Sequence, residues 1–171
     1  MKRLKFLNKL YKERKVELIE PSDEVKESYL EKASNCLQSA RILLPHKLYE
    51  NVIIDAYYTM YDALLALLFK VGIKSENHLA SIIFLEELFK EKELAKIILE
   101  SKDERIDKQS YVKTEKTKEI TKEAVEHFIV KAEAFLVKIK IVIEKLTNND
   151  LSRIKSDFED LCNVNSRKLT E

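Results

Sequence analysis

The residues best equipped for chemistry stand together in "DERIDKQSYV", Asp103 to Val112. Arg105, Lys108 and Tyr111, with Lys102 just before and Lys113 just after, gather a guanidinium, three ammonium groups and a phenol in one short stretch. A guanidinium can hold a phosphate through two parallel N–H donors, lysines attract the nucleic-acid backbone, and an aromatic ring can stack on an unpaired base. The same stretch also reads as a structured loop, with Arg105 paired across the fold to Asp55 or Asp62 and the Tyr111 ring turned inward. Those carboxylates belong to "DAYYTMYDALLALLF", Asp55 to Phe69, where an unpaired buried charge would be costly. Tyr57, Tyr58 and Tyr61 in that segment read as core or interface residues with hydroxyls at the rim.

Other chemistries find little support. A carboxylate-bridged metal site in a helical bundle needs Glu three residues before His. Leu43, Ser75 and Ala124 occupy those places before His46, His78 and His127, so no metal is expected. Cys36 and Cys162 are far apart, lack metal spacing and have no adjacent base; they read as reduced packing thiols of an intracellular protein. With one glycine in 171 residues a glycine-rich phosphate loop is ruled out, and no cofactor is implied. His127 reads as a half-buried surface histidine and His46 as a solvated one. The spacing Arg41 to His46 in "RILLPH" is broken by Pro45 and reads as chance.

The elements that must hold these residues are helices. Two prolines and one glycine leave few turns, and 36% charged against 45% hydrophobic residues suits long amphipathic segments. The net charge of +1 gives no overall field toward nucleic acid or membrane, although residues 1–16 carry seven basic side chains (Lys2, Arg3, Lys5, Lys9, Lys12, Arg14, Lys15) against Glu13. Residues 1–21 form a basic, weakly amphipathic arm. Pro21 and Ser22-Asp23-Glu24 then open a helix whose stripe runs Val25, Tyr29, Ala33, Leu37, Ala40, Leu44 to Pro45. A second runs from about Leu48 to Val71 with Gly72 as its stop. A third starts near Glu76 to His78 and continues past "KEKE" to Leu99. The cleanest period, Ile120 to Leu146, marks the last bundle helix, and Leu151, Ile154, Phe158 and Leu161 mark a short amphipathic helix within 148–171.

The expectation is an all-α, up-and-down four-helix bundle over 22–147 with short helical extensions at both termini. The longest apolar run, Ala63 to Phe69, is too short to span a bilayer, and no signal-peptide core opens the chain, so a cytoplasmic protein is expected with no membrane partner.

The order "DAYYTMYDALLALLFKVGI", "KSENHLASIIFLEELF" and "ERIDKQSYV" before a long final helix resembles the HEPN superfamily, in the prokaryotic branch found beside nucleotidyltransferases. Tyr57-Tyr58, Gly72 and His78 match its tyrosine pair, helix-ending glycine and helix-opening histidine, and Arg105 with Tyr111 fits its Arg-then-aromatic form. The resemblance covers about residues 22–147. It implies an RNA- or nucleotide-related protein, a homodimer, and a place in a toxin–antitoxin or similar stress or defence module. Catalytic members are metal-independent endoribonucleases in which paired Arg-x4–6-His motifs line one cleft. Here Ser110 and Tyr111 stand where that His would, so ribonuclease activity is left open. Arg105 and Tyr111 are the candidate catalytic pair, Lys102, Lys108 and Lys113 the phosphate contacts, and Asp55 and Asp62 the supporting polar groups. The competing reading is a non-catalytic interaction module that docks a nucleotidyltransferase or another partner.

Overall fold

The computed structural model describes the backbone of residues 2–109 and 120–162, and the side chains of all of these except 106–109. Chain order is α1 (Lys2–Lys12), β1 (Val16–Leu18), α2 (Asp23–Leu43), a 3-10 turn (Leu44–His46), α3 (Tyr49–Lys70), β2 (Ile73–Ser75), α4 (His78–Glu87), α5 (Lys92–Gln109), α6 (Lys122–Lys145) and α7 (Asn148–Cys162). The helical fold class and the expected order of bundle helices both hold.

Each boundary has a local cause. The Ser22 hydroxyl accepts from the Val25 amide at 3.2 Å and opens α2, with Asp23 and Glu24 against the positive end of its dipole. Pro45 ends that helix in the 3-10 turn, and Lys47 turns the chain at φ 59°. Gly72 adopts φ 76°, where a Cβ would stand 2.4 Å from the Ile19 carbonyl oxygen; only glycine fits there. The Asn77 side chain caps α4 and Thr121 caps α6. Thr147 and Asp150 exchange backbone and side-chain bonds in a reciprocal cap at the start of α7.

α3 is the axis. It packs chiefly between α2 and α6, with α4 and α5 closing the remaining side. Its stretch Ala63 to Leu68 is buried all round, as its unbroken hydrophobicity requires. By length and composition the whole of Tyr49–Lys70 could cross a bilayer, which corrects the narrower inference from Ala63 to Phe69 alone; 78% of its apolar window is buried inside the fold. The helix meets its hydrophobic demand against its neighbours.

The expected third helix is two, α4 and α5, broken where Lys90 turns the chain at φ 63°, and two further features depart from the expected outline. β1 and β2 pair antiparallel in the register Val16 to Ser75, Glu17 to Lys74 and Leu18 to Ile73, a ribbon with a cross-strand ion pair of 3.2 Å between Lys74 and Glu17. The basic arm is also no free arm. α1 and α7 lie together, burying Leu7 and Leu10 against Ile154 and Phe158, and the Asn8 amide donates to the Cys162 carbonyl at 2.7 Å. Both cysteines are free thiols, and burial pushes that of Cys162 up to about 12.

Candidate functional site

α3 carries two polar faces. On the side toward α2, Asp55 accepts from the Ser39 hydroxyl, and Asp62, 1% exposed, faces Lys32 Nζ at 3.3 Å and Cys36 Sγ at 3.9 Å. Burial raises the Asp62 carboxyl above its ordinary value, and the Lys32 charge offsets this only in part. The expected pairing of Arg105 with Asp55 or Asp62 is therefore wrong: α2 supplies their partners, and Arg105 lies elsewhere. An α-helix advances about 100° per residue, so Tyr57 stands about 160° around α3 from Asp55, on nearly the opposite side.

The other face is aromatic. Tyr57 and Tyr61, one turn apart, are both buried, and Tyr58 is partly open. His78, the first residue of α4, lies flat on Tyr61 with centroids 3.7 Å apart and places Nδ1 2.7 Å from the Tyr57 hydroxyl. Asn77 fixes this position by capping α4, so the residue after it must enter the groove beside α3. Arg105 arrives from α5. Its guanidinium sits 4.8 Å from the Tyr57 ring centre and donates from Nη1 to the Tyr58 hydroxyl at 3.2 Å. The Arg105 Nε is buried without a hydrogen-bond partner among the described residues.

These contacts set the electrostatics. Burial, then the Arg105 and Lys102 charges, hold His78 down at about 4, so its imidazole is neutral at physiological pH. Burial also pushes the Tyr57 hydroxyl well above the ordinary phenol value, against the pull of Arg105. The assembly is a cation against the ring of a neutral phenol, with a neutral imidazole bonded to that phenol. It can bind an anion through the guanidinium and add a hydrogen bond from imidazole or hydroxyl. Among the described residues no cluster of His, Cys, Asp and Glu could hold a metal ion.

A model of the HEPN domain matches residues 26–142. The chain belongs to the HEPN family. Membership supports a nucleotide- or RNA-related module, ribonuclease-like at the level of the family. Within this HEPN chain the positions matched by resemblance, Tyr57, Tyr58, His78 and Arg105, meet in one cluster. A search of curated proteins finds no match to the chain.

The other sequence candidates fall into three groups. Lys102 lies on α5 one turn before Arg105 and is close enough to depress His78. Lys108 lies within α5 but its side chain, like Tyr111 and Lys113 entirely, is outside the described residues. The stretch taken for a loop is helical from Asp103 to Gln109, which points Arg105 along a helix face instead of across a turn. The "RILLPH" pair is split, since Arg41 bonds Glu133 at 2.7 Å while His46 is exposed.

His78 is the functional candidate that a search along the sequence undervalues. Looking for a histidine a few positions after Arg105 finds none, yet the fold brings one from 27 positions earlier. The signal was present: "SENH" reads as a helix cap followed by a histidine, and Tyr57 and Tyr61 share a face at i, i+4.

Proposed function

We propose that this HEPN protein binds RNA or a nucleotide through its phosphate at the Arg105 cluster, as a cytoplasmic homodimer in a toxin–antitoxin or related stress or defence module. The observation that supports it is the Arg105 guanidinium held against Tyr57 and Tyr58 with Nε left over. A buried donor without a partner is unusual in a native structure and calls for an explanation; preparation for an anion is one. Lys102 adds charge one turn away, and Lys108, Lys113 and Tyr111 follow in the chain as further contacts. The ribonuclease chemistry of the family would need a proton carrier. His78 stands beside Arg105, but at about 4 it is a weak base until an anion draws its pKa upward. Cleavage by this chain is accordingly slow, with Arg105 essential.

Anisotropy of labelled single-stranded RNA, titrated across ionic strength with chelator present, tests the reading. Affinity falls with salt at about 0.7 log units per log unit for each phosphate contact. Arg105→Ala loses at least about tenfold, which corresponds to one charge-assisted contact. If wild type and Arg105→Ala bind alike, the phosphate reading fails.

A second observation favours docking of a protein partner. A cavity of about 420 Å³ opens between α1, α4 and α5, floored by Phe6, Leu79, Ile82 and Leu99 and edged by Lys92 and Lys96. A nucleotidyltransferase or other protein with an acidic, apolar segment would suit it. In that case the chain copurifies with its partner and shows little affinity for RNA.

A further inference from the structure

Two of the helices that wall the cavity between α1, α4 and α5 also carry the Arg105 cluster. On α5, Ala95 and Leu99 line the cavity, and Lys102 continues the same stripe one turn further on. Lys102 is close enough to His78 to depress it. On α4, Leu79, Ile82 and Glu86 line the cavity, and Leu79 directly follows His78. Both helices therefore leave the cluster and run into the walls of the cavity. From Arg105 back to Lys92, its first residue, α5 spans about 20 Å.

The third wall is α1, which contributes Lys2, Arg3 and Phe6. That helix lies outside residues 26–142 matched by the HEPN domain, so the wall is an addition of this chain. It is fixed in place. Leu7 and Leu10 are buried, Asn8 bonds the Cys162 carbonyl, and Arg3 bonds Glu86 of α4 at 2.9 Å. With its main apolar stripe turned inward, α1 has no such face left for a lipid surface. The rim is unbalanced in charge. Arg3 answers Glu86, whereas Lys2, Lys92 and Lys96 make no ion pair among the described residues. Lys92 and Lys96 stand one turn apart on one helix face, where like charges repel. Beneath these cations the floor of Phe6, Leu79, Ile82 and Leu99 is apolar and holds an aromatic ring.

We infer that this cavity continues the phosphate site and takes the bases of a single RNA strand, whose next phosphates lie along Lys96, Lys92 and Lys2. The inference rests on the phosphate reading of the Arg105 cluster and adds a direction and a length to it. An apolar, partly aromatic floor under a cationic rim suits an unpaired strand, which turns its bases inward and its phosphates out. A volume of about 420 Å³ lies within the range of small-ligand sites. At a stacked spacing of about 3.4 Å per nucleotide, the distance from Arg105 to Lys92 corresponds to about six nucleotides. An acidic protein segment would satisfy the rim alone. The continuity of the walls with the Arg105 cluster favours the strand.

Binding of oligoadenylates about two to ten nucleotides long to the full chain, with chelator present, decides it. Affinity for wild type rises with length and levels off near about six nucleotides. Lys92→Gln combined with Lys96→Gln lowers affinity for the longest probe about tenfold. It also reduces the salt slope by about 1.4, the contribution of two phosphate contacts on a single strand. Leu79→Asp, at a position 39% exposed, likewise removes the gain with length while circular dichroism melts stay close to wild type. Equal affinity at every length overturns the continuation and leaves the phosphate site standing. No binding at any length overturns the phosphate site and the continuation with it. A gain with length that survives both sets of substitutions sends the strand along another path and overturns the inference. So does a cavity variant that loses a copurifying protein yet keeps its hold on the longest probe.

Discussion

The two polar faces of α3 make opposite use of the same predicament. Toward α2, Asp55 and Asp62 are buried or half-buried and each has a partner, the Ser39 hydroxyl for one and Lys32 with Cys36 for the other. Toward α4 and α5, Tyr57, His78 and Arg105 form a chain of contacts that stops short, with one guanidinium N–H unmatched among the described residues. A polar group that the fold satisfies belongs to the architecture. One that the fold holds in place and leaves wanting is a candidate for binding.

The largest effect expected from that contrast separates binding from stability. Arg105→Ala costs at least about tenfold in RNA affinity yet melts close to wild type, since removing an unmatched buried donor offsets the lost ring contact. Asp55→Ala does the reverse. It strips Ser39 of its acceptor and lowers stability by about 1–2 kcal/mol in chemical denaturation, with RNA affinity per folded molecule unchanged. If Asp55→Ala abolished binding while the protein stayed folded, the two faces would be one site.

A smaller effect lies in pH. His78 titrates near its ordinary value of 6.5 in the unfolded chain and at about 4 in the fold. The unfolded state therefore takes up the proton first, and stability drops as pH falls from 6.5 toward 4. Melting curves of His78→Gln should lack that part of the acid decline. Should the two proteins decline in parallel across this window, His78 is not held neutral by the cluster. The smallest effect belongs to Asp62. Its raised pKa means that the fold disfavours the charged carboxylate, so its contribution is fullest below about pH 4 and is lost as pH rises past that value. Asp62→Asn then changes stability at neutral pH by no more than about 1 kcal/mol, with a gain the expected sign. A loss of several kcal/mol would show that the Lys32 pair outweighs burial.

Most of the frame was legible because each helix announces itself twice, by period and by punctuation. Ser22, Pro45, Gly72 and the run from Ile120 to Leu146 placed α2, α3 and α6 within a few residues of their observed bounds. β1 and β2 left no trace, since three-residue strands are too short for alternation to register. The end of α5 was misread for the opposite reason: a helix tail written in Asp, Glu, Arg and Lys lacks the apolar stripe on which the reading depends. At the site, Arg105 and the tyrosines were singled out, but their company was not. Charge complementarity suggested Asp55 or Asp62 as the partner of Arg105. Helical geometry, which sets Asp55 and Asp62 about 160° and 140° around α3 from Tyr57, argued otherwise from the same letters.

The ribbon that joins Val16 to Ser75, with Asn8 bonded to the Cys162 carbonyl, also dictates an order of events. α1 and β1 leave the ribosome before the elements they join, since the mate of β1 is made nearly sixty residues later and the mate of α1 only after α6 is complete. Distant closures of this kind carry the greatest entropic cost and come late in folding. α1 therefore waits with its Leu7 and Leu10 uncovered while the bundle assembles behind it. Its dense lysine and arginine complement, unneeded for packing, keeps that waiting segment dissolved and apart from its neighbours on the same message.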